Sequence, residues 1–163
     1  VNGLNRREFD GAERVEAEAI GQPGQRRFRL VVASGGETVF LWMEKQQLQA
    51  LGLAFEQILA QLQTVQIVIP MAEQPDLSTR PEGPSLGLAE YVVGRLAVGF
   101  DETRQRMTII VHEPAAEEDA QPDFICRITN DQSGALAYQI RRVVTVGARQ
   151  HSNGHLSGLT PSE

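Results

Sequence analysis

Arg27-Phe28-Arg29-Leu30-Val31-Val32-Ala33-Ser34-Gly35-Gly36-Glu37-Thr38-Val39-Phe40-Leu41-Trp42-Met43 is two alternating runs around a glycine pair. Phe28, Leu30 and Val32 fall on one face of the first run, and Val39, Leu41 and Met43 on one face of the second, the period of a half-buried strand. A Gly-Gly pair between such runs is a hairpin signal, because the tight turns that match strand twist need positive φ. With Gly35-Gly36 as the loop, Val32 is opposite Val39, Leu30 opposite Leu41 and Phe28 opposite Met43. A slip of one residue would carry one inward set to the solvent side. The other face then pairs Val31 with Phe40 and Arg29 with Trp42.

Upstream, Val15, Ala17 and Ala19 alternate with Glu16 and Glu18, which reads as a strand from Val15 to Ile20. Gly21-Gln22-Pro23-Gly24 supplies a turn, with Pro presetting φ and Gly admitting positive φ. A hairpin closing on Gly21–Gly24 sets Glu18 opposite Arg27 and Glu16 opposite Arg29. Downstream, Leu48, Leu51, Phe55, Ile58, Leu59 and Leu62 recur at three- and four-residue steps, with glutamines between, giving a helix from about Lys45 to Gln63. Gly52 weakens that helix and allows close packing there.

This order returns. Ala97-Val98-Gly99 follows Ala19-Ile20-Gly21, Arg106 to Val111 follows Arg27 to Val32, and Ile128 to Val144 aligns without a gap on Met43 to Leu59. Thr129 and Gln132 form a capping box for a second helix, with Leu136, Ile140, Val143 and Val144 as its apolar stripe. The expected fold is α+β: two βββα pseudo-repeats sharing one core, with antiparallel sheets and two helices. One domain is expected over residues 9–147, with repeat 1 at about 14–63, a linker at 71–90 and repeat 2 at about 91–146. Val65 to Ile69 reads as an extra short strand, Glu113 to Asp123 as a solvated acidic loop, residues 1–8 as frayed and 148–163 as a disordered tail.

Composition limits the function classes. Fifteen basic and twenty-one acidic residues give a net charge of −6, and no long arginine run offsets it. An acidic chain repels phosphate backbones, so nucleic-acid binding is not expected. No apolar run reaches the ~18 residues of a bilayer span, and Val1 to Arg7 carries no signal-peptide core, so no membrane association is expected. A single cysteine fits a reducing, cytoplasmic setting.

The chemical candidates are sparse. Cys126 lies in phase with Phe124 and Ile128 on a strand and reads as an inert buried thiol. His112 ends a strand beside Glu113 without a partner that would make it a base. His151 and His155 have metal-ligand spacing, but Ser152-Asn153-Gly154 argues against a helix there, and no cofactor or metal is expected. Glu16 and Glu18 read as half of a cross-strand charge ladder. No phosphate loop, dinucleotide fingerprint or nucleophile elbow is present, and no catalytic residue is assigned.

Two surfaces remain. Arg29, Val31, Phe40 and Trp42, with Ile20, should cluster on the outward sheet face, with Arg29 over the Trp42 ring. Leu96, Val98, Ile110 and Ile125 are the corresponding positions of the second repeat. An apolar patch with an aromatic–arginine anchor resembles a partner-binding surface, unless the rest of the chain covers it. The loop Gly21, Gln22, Pro23, Gly24, with Arg26 and Arg27 beside it, offers backbone amides and cations to an anion.

The run Phe9-Asp10, Ile20-Gly21-Gln22-Pro23-Gly24-Gln25-Arg26, Phe28 and Leu41-Trp42-Met43-Glu44-Lys45 resembles a bacterial family known as domain of unknown function 3090. Val93 to Asp101 followed by Ile109-Ile110-Val111 is similar to that family's second block. The likeness covers about residues 9–147. Members typically continue into a cysteine-rich, zinc-ribbon-like tail, and after Val146-Gly147 this chain has no cysteine. The family association implies histidine-phosphatase-like or kinase-like neighbours as partners, and no activity. The leading expectation is a non-enzymatic binding or adaptor module, a homodimer among its forms, acting through the outer sheet face. The alternative is a small enzyme or anionic-ligand-binding protein with a site between the repeats. A pocket lined by His112, Arg127 or Arg95 would favour the enzyme.

Overall fold

The computed structural model describes residues 6–62, 65–73 and 88–156, with side chains in the last helix described as far as residue 145. The elements are β1 (Arg7–Phe9), β2 (Arg14–Ile20), β3 (Arg27–Ser34), β4 (Glu37–Met43), α1 (Lys45–Gln61), β5 (Gln66–Ile69), β6 (Leu88–Val92), β7 (Arg95–Asp101), β8 (Arg106–His112), β9 (Phe124–Ile128) and α2 (Asn130–Leu156). The fold is α+β, with a four-stranded sheet ordered β2-β3-β4-β6 and a five-stranded sheet ordered β1-β9-β8-β7-β5.

The β3–β4 hairpin has the expected register, Phe28 to Met43, Leu30 to Leu41 and Val32 to Val39. Gly35 and Gly36 both take positive φ, 59° and 85°, so the loop uses the freedom that only glycine has without strain. The β2–β3 hairpin is displaced by two residues from expectation. Glu18 faces Arg29 and Ile20 faces Arg27, while Glu16 faces Val31. Gln25 and Arg26 belong to the loop rather than the strand, because the turn closes through a Gln25 N–H to Gln22 O bond of 2.9 Å, with Gly21 and Gly24 both at positive φ. A two-residue shift keeps every side chain on its face, so alternation alone does not exclude it.

Both sheets contain one parallel pair, contrary to the expectation of purely antiparallel sheets. β6 pairs parallel with β4, and β1 pairs parallel with β9. The strand leading into each three-strand meander therefore lies in the other half's sheet. Residues 7–9 are ordered as a strand rather than frayed, and β6 begins inside the stretch read as a linker; residues 74–87 of that stretch lie outside the described residues.

Each crossing between sheets is fixed the same way. Ala12 N–H donates to Arg127 O and Glu13 N–H to Ala33 O, while Val93 N–H donates to Trp42 O and Gly94 N–H to His112 O. Gly94 has no room for a side chain, since a Cβ would lie 2.6 Å from Pro114 N.

The helices pack on both sheets. Leu48, Leu51, Phe55 and Ile58 of α1 and Leu136, Ile140 and Val144 of α2 are buried in one cluster with residues of both sheets. Fully burying such a side chain contributes about 1.5–3 kcal/mol. Leu62 leaves the stripe and becomes the left-handed C-cap of α1, with φ of 51°. Gly52 faces Ile140, whose Cγ2 lies 3.1 Å from a Cβ built there, so the helices approach closely at the glycine. α2 continues to Leu156, past the point where an irregular tail was expected, while 157–163 lie outside the described residues. His151 and His155 fall within this helix, where their side chains are outside the described set.

Leu96 and Val98 point into the core rather than outward. Asp101 faces Arg106 as Ile20 faces Arg27, so the matching of Ala97-Val98-Gly99 to Ala19-Ile20-Gly21 is out of register. Val68, Ala97, Ile110 and Ile125 form one outward row of that sheet, aligned across four strands.

Candidate ligand-binding cleft

The outward face of the four-stranded sheet brings Arg29, Val31, Phe40 and Trp42 together, as register requires. Arg29 Cζ lies 3.9 Å from the Phe40 ring centroid and 5.1 Å from that of Trp42, and Arg27 Cζ lies 4.6 Å from the Trp42 ring. Trp42 Nε1–H donates to Glu90 Oε1 at 2.7 Å, and Arg29 pairs with Glu18 at 2.8 Å. Val31 is only 4% exposed and Trp42 7%. Stacked guanidinium planes and paired carboxylates thus cover the aromatics. The cluster exists as expected, but Val31 and Trp42 do not form an exposed apolar patch.

The isolated candidates are occupied structurally. Cys126 is fully buried, and desolvation pushes its thiol up to about 12, against the weaker opposing effect of Arg127. A neutral buried thiol is a poor nucleophile. The His112 ring nitrogen Nε2 lies 2.9 Å from Ala120 O, which ties the acidic loop to β8. Arg95 donates to Glu117 O and Glu118 O of the same loop, and Glu113 N–H donates to Asp123 Oδ2. Glu16 pairs with Arg14 of its own strand, not with Arg29. The Arg14 hydrogen bond holds its carboxyl below the usual range. Of the charge ladder, Glu18 forms its rung. Among the described residues no group of three His, Cys, Asp or Glu side chains has metal-binding geometry.

A cleft of about 650 Å³ opens between the two halves, where α2 crosses beside β2. Val15, Ala19, Leu136 and Val143 form its apolar lining. Arg26 enters from the β2–β3 loop, while Tyr138, Gln139 and Arg142 enter from α2. Helical spacing explains the second group: positions 135, 138, 139 and 142 lie on one face of a 3.6-residue helix. Tyr138 is 63% exposed, and the Arg142 guanidinium lies 5.9 Å from its ring centroid. Gln139 turns toward the strand, its Oε1 accepting the Ala17 N–H at 2.8 Å. Glu16 also borders the cleft, already engaged by Arg14.

The sequence reading finds Arg26 through its neighbouring turn. It misses Tyr138, Gln139 and Arg142, which sit on the wet side of a helix and become a site only through the position of α2 against β2. The backbone of Gly21, Gln22, Pro23 and Gly24 does not line the cleft, and neither does Arg27. Gly21 and Gly24 serve the turn itself, with φ of 110° and 85°. His112, Arg127 and Arg95 are absent from the lining as well. No helix among the described residues is long and apolar enough to cross a membrane.

No curated protein and no solved structure matches the chain. A family described as "Protein of unknown function (DUF3090)" matches residues 7–153, most of the chain and both sheets. The chain therefore belongs to the DUF3090 family.

Proposed function

We propose that this protein is a non-enzymatic binding module that takes an anionic, partly apolar ligand in the cleft between β2 and α2. The observation that carries the reading is that Arg26 and Arg142, one from each half of the chain, line the same largely apolar cleft of about 650 Å³. Pockets of this size with a few polar groups at the rim hold small ligands or short segments. In a chain of net charge −6, a lining with two guanidinium groups and one carboxylate, Glu16, which Arg14 already engages, is the feature that draws an anion to this place. The Cys126 thiol and the His112 imidazole both lie away from the cleft lining, which favours binding there. The thiol of Cys126 is buried elsewhere, and His112 is engaged at the far loop. The outer sheet face supports the reading less, since Arg29 already pairs with Glu18 and Trp42 with Glu90.

Thermal unfolding in the presence of phenyl phosphate or phenylacetate tests it. A ligand at a hundred times its dissociation constant stabilises by about 2.7 kcal/mol. The expected result is a concentration-dependent rise in midpoint that the Arg26→Ala/Arg142→Ala double variant loses. No rise with either probe, or an equal rise in the variant, would contradict the proposal.

A further inference from the structure

We infer that the outer edge of β2 accepts an extended acidic peptide from a partner protein as an added strand, and that Gln139 holds that edge until the peptide arrives. The inference rests on the cleft reading above and assigns the cleft its class of ligand.

The two sheets differ in one place. In each, a three-strand meander is closed on its far edge by a parallel strand, β6 on β4 or β1 on β9. On the near edge, β7 carries β5, paired antiparallel from Gln66 with Gly99 to Ile69 with Leu96. The near edge of β2 carries no strand among the described residues. β5 is thus an internal example of what such an edge takes. Ile69 is buried in the core and Ile67 packs against it, while Val68 points outward, 63% exposed. The cleft lies in the corresponding place beside β2, lined by Val15, Ala19, Leu136 and Val143.

The helices differ where this matters. Ala54 of α1 and Gln139 of α2 stand at the same position counted from Met43 and Ile128, the last residues of β4 and β9. Ala54 is buried and leaves the β7 edge to β5. Gln139 gives its carbonyl to Ala17 N–H, as a neighbouring strand would. By strand alternation the N–H groups of Val15 and Ala19 face the same edge. An incoming backbone can therefore replace the side-chain amide with a row of main-chain bonds, the mode in which peptides extend sheets. Arg26 and Arg142 at the cleft select carboxylates on that peptide. A second copy pairing through its own β2 offers Arg26 and Arg142 only Glu16 and Glu18, which Arg14 and Arg29 already engage, so a separate acidic peptide fits the cleft better.

The test uses a fluorescent peptide carrying the sequence of Gln66–Ile69 with an aspartate at each end, titrated by anisotropy against the full chain. A second peptide has the same side chains but N-methylated alternate amides, which cannot join a sheet. The expected result is saturable binding that N-methylation weakens at least about tenfold, while Gln139→Ala strengthens it about fivefold by removing one competing hydrogen bond. Gln139→Glu, which keeps the acceptor and adds a negative charge, should weaken it. Equal binding of both peptides, lost with Arg26→Ala/Arg142→Ala, overturns strand addition and leaves the cleft reading standing. Binding of neither peptide also overturns strand addition, and the phenyl phosphate titration then judges the cleft separately. A dimer that the first peptide dissolves would make a second copy the occupant and overturn the partner assignment. The N-methyl contrast needs no variant, so misfolding of Gln139→Ala does not remove the test.

Discussion

Cys126 shows how burial sets the chemistry of a single residue. Its thiol ionises near 12 in the fold, against 9.0 as the ordinary value, because the interior penalises the thiolate. Above pH 9 the unfolded chain releases this proton and the folded chain does not, so the unfolded state binds fewer protons and stability falls as pH rises. Tyr91 acts in the same direction, its phenol raised mainly by desolvation. Denaturation curves recorded between about pH 8 and 11 should therefore show stability constant below about 9 and declining above it. Cys126→Ala should flatten the decline, and a stability that rises through this window would contradict the assignment. At the same scale the inert thiol was legible in the sequence, since its neighbours in phase, Phe124 and Ile128, are both core residues.

At the scale of elements, Gln47 and Gln132 do equivalent work at the starts of α1 and α2. Gln47 Oε1 accepts the Glu44 N–H at 2.9 Å and its Nε2 donates to Gly94 O at 2.8 Å. Gln132 Oε1 accepts the Thr129 N–H at 2.8 Å and its Nε2 donates to Ala12 O at 2.9 Å. Each glutamine caps its helix and ties it to the place where a leading strand crosses between sheets. Gln47 is buried, so Gln47→Leu leaves a backbone donor and acceptor unsatisfied, at a cost of roughly 2–4 kcal/mol. Gln132 is half-buried, and Gln132→Leu should cost less. Urea denaturation of both variants checks the order, and an inverted order would count against the bridging role.

The elements themselves were largely legible. Alternation gave β2, β3 and β4 their faces, the glycine pair set the β3–β4 register, and Thr129 with Gln132 marked the start of α2. The first hairpin was harder, because a two-residue shift preserves both faces and only loop geometry decides it. β1 was not legible at all. Three residues carry too little periodicity, and its partner β9 lies more than a hundred residues away.

At the scale of the molecule, the core joins both halves through their leading strands. Phe9 of β1 meets Phe124 edge-on at 5.2 Å, and Tyr91 of β6 stacks on Phe124 at 5.8 Å. Arg7 Nη1 reaches the Tyr91 hydroxyl at 3.2 Å, from one sheet to the other. The cleft is a product of this joining, since β2 belongs to the first half and α2 to the second. No local pattern announces it: Tyr138 and Arg142 read as surface residues of an amphipathic helix until the helix is placed beside β2. The aromatic–arginine cluster around Trp42 was visible in the sequence, with Trp42 bonded to Glu90, while the cleft was hidden and sets Arg26 and Arg142 in one apolar lining. Backbone amide spectra of the full chain recorded through a titration with phenyl phosphate compare the two surfaces directly. Progressive shifts are expected at Val15, Ala19, Arg26 and Tyr138 to Val143, whereas shifts confined to Arg29, Phe40 and Trp42, or none at all, would rule out the cleft as the binding site.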